Sequence, residues 1–544
     1  MIKKLSILAL AATGFFGCKN CCSNSCSSGE NEVILGYAKV KLTADLSKYN
    51  DKEKQLLATL FDAAQIMDDI FWLEACGAGK DEFLGSITDD TLRKFADINY
   101  GPWERLNGNK PFIDGAGEKP KGAQFYPVDM TAQEFDALQD SNKKSLYTII
   151  RRDENGDLKV IWYHEYFSCQ IEKAAALLEK AASLAEDKDF AAYLTARATA
   201  LRTDDYFESD IAWMNMQNNK FDFVVGPIEN YEDQLYGYKA AHESFILLKD
   251  GEWSKKLEKF TTLLPELQKG LPIDEKYKKD PVGSESQLNV YDVIFYRGDC
   301  NSGSKTIAIN LPNDERVHVQ KGTRKLQLKN AMQAKFDKIL TPIAEVVISP
   351  QQQKQIAFAP FFENVTFHEV AHGLGVKNTI DGKNTVRHAL KEIAGTFEEA
   401  KADIMGLYMV DELYRMKQIT EGDVEQNYIT FFCGIFRSIR FGTASAHGKA
   451  NMIEFDHFAN NGVFTRSADG IYTVDIEKMR EATRSLMVKI LTLQGDGDYE
   501  RGKKWLNEAN VITAELAQDL ARIEEANIPR DIFFEQGKET VKLK

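Results

Sequence analysis

The chain has 544 residues, with 68 Lys+Arg against 82 Asp+Glu, a formal net charge of −14, and 43% hydrophobic and 11% aromatic residues. That aromatic content excludes a solvated, disordered chain, and the acidic balance excludes nucleic-acid binding through a general basic surface. Length alone predicts about three to four domains or two large lobes, and beyond the first twenty positions no apolar run reaches the roughly 18 residues of a membrane span.

Residues 1–17, MIKKLSILALAATGFFG, combine two lysines with an apolar run from Leu5 to Phe16, the layout of an export signal. Gly17 directly before Cys18 resembles the lipobox of bacterial lipoproteins, although Phe15 and Phe16 are bulky for that motif. The likeness implies that Cys18 is diacylated and becomes the mature N-terminus; an ordinary cleaved signal peptide is the alternative. Residues 18–32 are Ser/Asn/Gly-rich and read as a flexible tether. The expectation is an exported protein held to the cell envelope by a lipid anchor only. Four further cysteines, Cys76, Cys169, Cys300 and Cys433, show no disulfide framework and are predicted to be small buried hydrophobes.

Residues 33–46 alternate like a strand, 52–75 read as an amphipathic helix, and Gly/Pro-rich 98–136 as a long ordered loop. The Ala/Leu/Glu/Lys-rich stretch 170–203 predicts two helices, and strand-like runs follow at 221–228, 243–248, 293–298 and 306–311. From about residue 325 to Glu525 the pattern is almost wholly helical. The fold class is therefore α+β, with a mainly mixed lobe over 33–325, a mainly helical lobe over 326–544, and a cleft between them.

The strongest chemical signal lies in the helical half, in NVTFHEVAHGLG. His368 and His372 are one helical turn apart, so both imidazoles project from one face and can share one ion. Glu369 stands beside them, placed to take a proton from a metal-activated water. A site of this kind needs a third protein ligand and leaves a fourth position open. TFEEAKADIMGLY supplies it: Glu399 completes a His₂Glu set for one zinc ion, while Asp403 and Glu398 can accept the free N–H of the two histidines. His164, His242, His318, His388 and His457 have no ligand-like partners at useful spacing and read as structural, His457 being the nearest to an exception.

HExxH followed by EExxA[ED], here His368–His372 and Glu398–Asp403, resembles the dipeptidyl peptidase III family of zinc peptidases. GPIENYED (226–233), IAINLPNDER (307–316) and RFGTASAHGKAN (440–451) are similar to three further segments of that family, and the NYGPW…FYP loop to its short bacterial members. The chain departs from the family's HExxGH form in having five residues. Its gap to the third-ligand Glu is also shorter than in the long eukaryotic members, and Asn451 stands where the family often has a basic residue. The resemblance implies two lobes, a helical one bearing zinc and a mixed one with a β-barrel-like core, with chain segments crossing between them.

It further implies that Tyr231 and His447 stabilise the oxyanion, and that Glu229, Asn310 and Asn313 hold the N-terminal end of an oligopeptide so that dipeptides are released. From the residues alone, Tyr231 is equally a packed aromatic, Asn310 and Asn313 are turn residues beside Pro312, and His447 a capping or surface histidine. Two other functions fit the same sequence: a non-catalytic peptide-binding lipoprotein, and a zinc hydrolase of a non-peptide amide or ester. The intact Glu369 argues against the first, and peptide-like clamping by Asn310 and Asn313 against the second.

Overall fold

The computed structural model of the chain describes residues 32–278, 280, 286–443 and 445–544; the expected export signal, Cys18 and the tether up to residue 31 lie outside them. Strand β1 (Tyr37–Lys41) leads to helix α1 (Asp51–Ala75), which Asn50 and Glu53 start by each bonding the other's backbone N–H. Leu57, Leu60, Ala64, Met67 and Phe71 recur at helical spacing on its inner face and are fully buried. The predicted pair over 170–203 is α2 (Ser168–Leu184) and α3 (Lys188–Thr203), separated where Asp187 caps the second. The loop at 98–136 is ordered as expected, and contains a small ladder between Trp103–Glu104 and Lys110–Pro111.

The four strand-like runs join a fifth strand in one sheet: β2 (Phe221–Glu229), β3 (Ala241–Lys249), β4 (Ser286–Gly298), β5 (Ala308–Leu311) and β6 (Thr323–Leu328), in the order β5-β6-β4-β3-β2. Only the β4–β6 pair is parallel. Almost every residue of β2 and β3 is buried, which is why they read as continuous apolar runs without alternation. Helix α1 packs across β3 and β4.

Among the described residues this sheet is open, its edge strands β2 and β5 not pairing with each other, so the expected barrel-like core is not seen closed. Strand β5 has four residues, and β2 ends in a bulge between Pro227 and Glu229. A four-residue edge strand offers few of the staggered hydrogen bonds that closure needs.

Past residue 325 helices dominate, as the sequence predicts. The metal-motif region is built from α4 (Phe358–Ala371), α5 (Ala394–Arg415), α6 (Val424–Ile439) and α7 (Ala446–Asn460), with α5 packed against the other three. Strands interrupt the stretch where helix was expected, at the end of β6 and in a hairpin of Phe464–Arg466 with Tyr472–Val474, and β7 (Asp531–Glu535) follows beyond it. Strand β7 returns to pair in parallel with β1, so the two ends of the described chain meet in one small sheet. The four described cysteines are free; Cys300 and Cys433 are buried as expected, but Cys76 is half-buried and Cys169 is exposed on the solvent side of the first turn of α2.

Candidate metal centre and cleft

Helix α4 ends at Ala371, yet His372 follows as its cap with φ −58° and ψ −29°, still in the right-handed helical region. The four-residue spacing therefore keeps both imidazoles on one side. Helix α5 brings Glu399 opposite them: its Oε2 is 3.4 Å from His368 Nε2 and 3.9 Å from His372 Nε2. The three ligand atoms lie within 4.8 Å of one another.

The other ring nitrogens are held as the sequence suggested. His368 Nδ1 is 2.7 Å from Asp403 Oδ1, and His372 Nδ1 is 2.9 Å from Glu398 Oε1. Carboxylates only accept, so both rings carry a proton on Nδ1 and turn Nε2 towards Glu399. Glu399 Oε2 is buried without a hydrogen-bond donor. His447 Nε2 does come within 3.1 Å of it, but outside hydrogen-bonding direction. A buried carboxylate oxygen facing two imidazole nitrogens makes this a place that favours positive charge, a proton or a metal ion. The local field agrees: burial works against charge on His368, yet Asp403, Glu399 and Glu369 together push its pKa up to about 10.

Three residues that the motif reading did not single out build this geometry. Lys401, buried on α5, reaches Glu398 Oε1 at 2.8 Å and the carbonyl of Leu374 at 2.9 Å, fixing the carboxylate that orients His372. Burial opposes ionisation of Glu398, but His372 and Lys401 hold it down to about 2. Lys325 on β6 donates to the backbone carbonyl of Glu369, tying the sheet to the end of α4. Gly406 lets α5 approach α4 at His368. A glycine inside a strongly helical pattern was the one sequence signal for such a contact.

Glu369 and His447 line a cleft of about 750 Å³ together with Glu229, Tyr231, Asn310 and Asn313, so residues from the sheet and from the helical half meet there. Tyr231 is 74% exposed, and Asn313 Nδ2 donates to the Ile228 carbonyl at 2.9 Å. Burial pushes the Glu229 carboxyl up, partly offset by Asn313. Glu243 and Asp299 add an acidic wall that the sequence did not signal; burial, then Glu232, pushes Asp299 up to about 7. The remaining histidines each have local partners away from this cluster: Asp204 for His164, Glu74 for His242, the Pro312 carbonyl for His318, Asn384 for His388 and Ser485 for His457.

A model of peptidase family M49 matches residues 124–383. The Arabidopsis thaliana protein named Nudix hydrolase 3 is 34% identical over 560 residues, covering 91% of this chain and 72% of that protein. Dipeptidyl peptidase 3 of Dictyostelium discoideum is 24% identical over 238 residues, 43% of this chain and 33% of its own length. The solved structure of DPP III from Caldithrix abyssi superposes with a TM-score of 0.90 at 38% identity, covering 94% of this chain and 99% of that one. Dipeptidyl-peptidase III from Corallococcus sp. strain EGB gives a TM-score of 0.78 at 34% identity, covering 92% and 95%.

Proposed function

Because the chain belongs to the dipeptidyl peptidase III family of metallopeptidases, peptidase family M49, we propose that it is a zinc-dependent exopeptidase releasing dipeptides from the N-termini of oligopeptides. The observation that carries this reading is the convergence of His368 Nε2, His372 Nε2 and Glu399 Oε2, the last buried and without a donor. Two neutral imidazoles and one carboxylate suit zinc, with a fourth position left open. Zinc bound there supplies a Lewis acid for the scissile carbonyl and lowers the pKa of a water.

Glu369 adjoins His368 in the chain and faces the cleft, where it takes a proton from the attacking water and returns it to the leaving amine. Tyr231 stays protonated at neutral pH, since the Glu229 charge and then burial push its pKa up. It is thus a donor for the oxyanion of the tetrahedral intermediate, with His447 lining the same cleft. Glu229 meets the substrate's ammonium, and Asn310 and Asn313 meet its extended backbone. The lipobox-like sequence before Cys18 supports an exported, envelope-anchored form.

Mass analysis of products from a pool of free-amine oligopeptides, with and without chelator, tests the reading. Stepwise loss of two residues, stopped by chelator and restored by zinc, is expected. Scattered internal cuts, or cleavage indifferent to chelator, would reject it.

A further inference from the structure

Beside the candidate metal centre, and outside the lining of the cleft, lies a carboxyl that the mechanism above does not use. Glu454 on α7 is fully buried. Its Oε2 accepts from Asn451 Nδ2 at 3.0 Å, and the second hydrogen of the same amide goes to Asp403 Oδ2 at 3.1 Å. Asp403 Oδ1 takes the Nδ1–H of His368 at 2.7 Å. A continuous line thus runs from ligand to interior: His368, Asp403, Asn451, Glu454.

The donors along this line are unequally shared. Asp403 receives two N–H groups, one from a histidine, whereas Glu454 receives one amide hydrogen and no cation forms an ion pair with it among the described residues. Glu454 Oε1 is buried with no donor at all. The charged groups around this corner are Asp403, Glu399 and His447, with Arg437 acting on Asp403. Two carboxylates side by side in a dry corner do not both ionise. The charge belongs on Asp403, where the donors are, and the proton on Glu454. Burial, and then Asp403, raise Glu454 well above the usual carboxyl range. A proton on Glu454, directed at Asp403, also accounts for an oxygen that has no donor.

We propose that Glu454 is a positioning residue of the metal centre: a neutral carboxylic acid that, with Asn451, holds Asp403 in the orientation that turns the Nε2 lone pair of His368 towards the ligand position. The inference rests on the reading that His368, His372 and Glu399 hold zinc. Glu454→Gln keeps the size, the neutrality and a donor; Glu454→Ala and the volume-filling Glu454→Met keep neither oxygen nor donor.

Two measurements on the full chain test it. Infrared spectra of the metal-free protein should contain the carbonyl band of a buried, protonated carboxylic acid that Glu454→Gln removes; a wild-type spectrum without that band overturns the proposal. Zinc affinity by competition with a chelator should stay within about threefold in Glu454→Gln and fall about tenfold or more in Glu454→Ala and Glu454→Met. Wild-type affinity in the Ala or Met variant, or an equal loss in Gln, overturns it. A wild-type chain that binds no zinc would instead reject the metal assignment itself, and the positioning role with it.

Discussion

Gly406 faces His368 so closely that a Cβ on it would stand 2.8 Å from the backbone nitrogen of His368 and 2.9 Å from the carbonyl carbon of Phe367. Both contacts are with backbone, which cannot rotate aside. The glycine in α5 therefore sets the distance between the two helices that carry the ligand set.

Gly406→Ala should wedge α5 from α4, lowering stability by about 1–3 kcal/mol and weakening zinc binding, which thermal unfolding and chelator competition measure. Gly434, in the interior of α6, has nothing within 4 Å of its Cβ position. Gly434→Ala should instead raise stability by about 0.5–1 kcal/mol. If both substitutions behave alike, the close approach at Gly406 is not what sets the site.

Much of the site was legible because its chemistry is written in short helical spacings. His368 and His372 are one turn apart, and Glu398, Glu399 and Asp403 share one helix, so their convergence could be expected from residue type and periodicity. What the sequence withheld was contact between distant segments. The pairing of β7 with β1, the tie from Lys325 to the Glu369 carbonyl, and the acidic wall at Glu243 and Asp299 join residues far apart in the chain. Residues 531–535, DIFFE, are a short apolar run with no alternation to announce a strand. The open sheet likewise ends in a four-residue edge strand, which the apolar runs do not reveal.

Binding and turnover should separate at neighbouring positions. His368→Ala, His372→Ala and Glu399→Ala should each lose most of the bound zinc, measured by elemental analysis after dialysis. Glu369→Gln should retain one zinc per chain while kcat falls about a hundredfold or more, since only the proton acceptor is removed. Near-normal turnover in Glu369→Gln would place the general base elsewhere.

Anchoring has its own test. The wild-type chain expressed in a bacterial host should fractionate with membranes, and Cys18→Ser should release it or leave it unprocessed. Identical fractionation of the two would discard lipidation and leave the peptidase reading untouched.

The exopeptidase claim turns on the free ammonium of the substrate. In the proposed reading Glu229 meets it, and burial raises its carboxyl pKa above the ordinary value. A carboxyl raised in this way is a charged partner above that pKa and a neutral one below it, so kcat/KM for free-amine peptides should fall as pH drops through it. Acetylated peptides have no ammonium and should not show that limb. A charge-assisted hydrogen bond is worth about 1.5–3 kcal/mol, so N-acetylation should lower kcat/KM by about ten- to a hundredfold. Glu229→Gln should cost a similar factor with free-amine peptides and abolish the acid limb. It should cost little further with acetylated ones, because the two changes remove the same interaction. Equal cleavage of free and acetylated peptides, or equal losses from Glu229→Gln in both, would leave a zinc peptidase without an N-terminal clamp at Glu229.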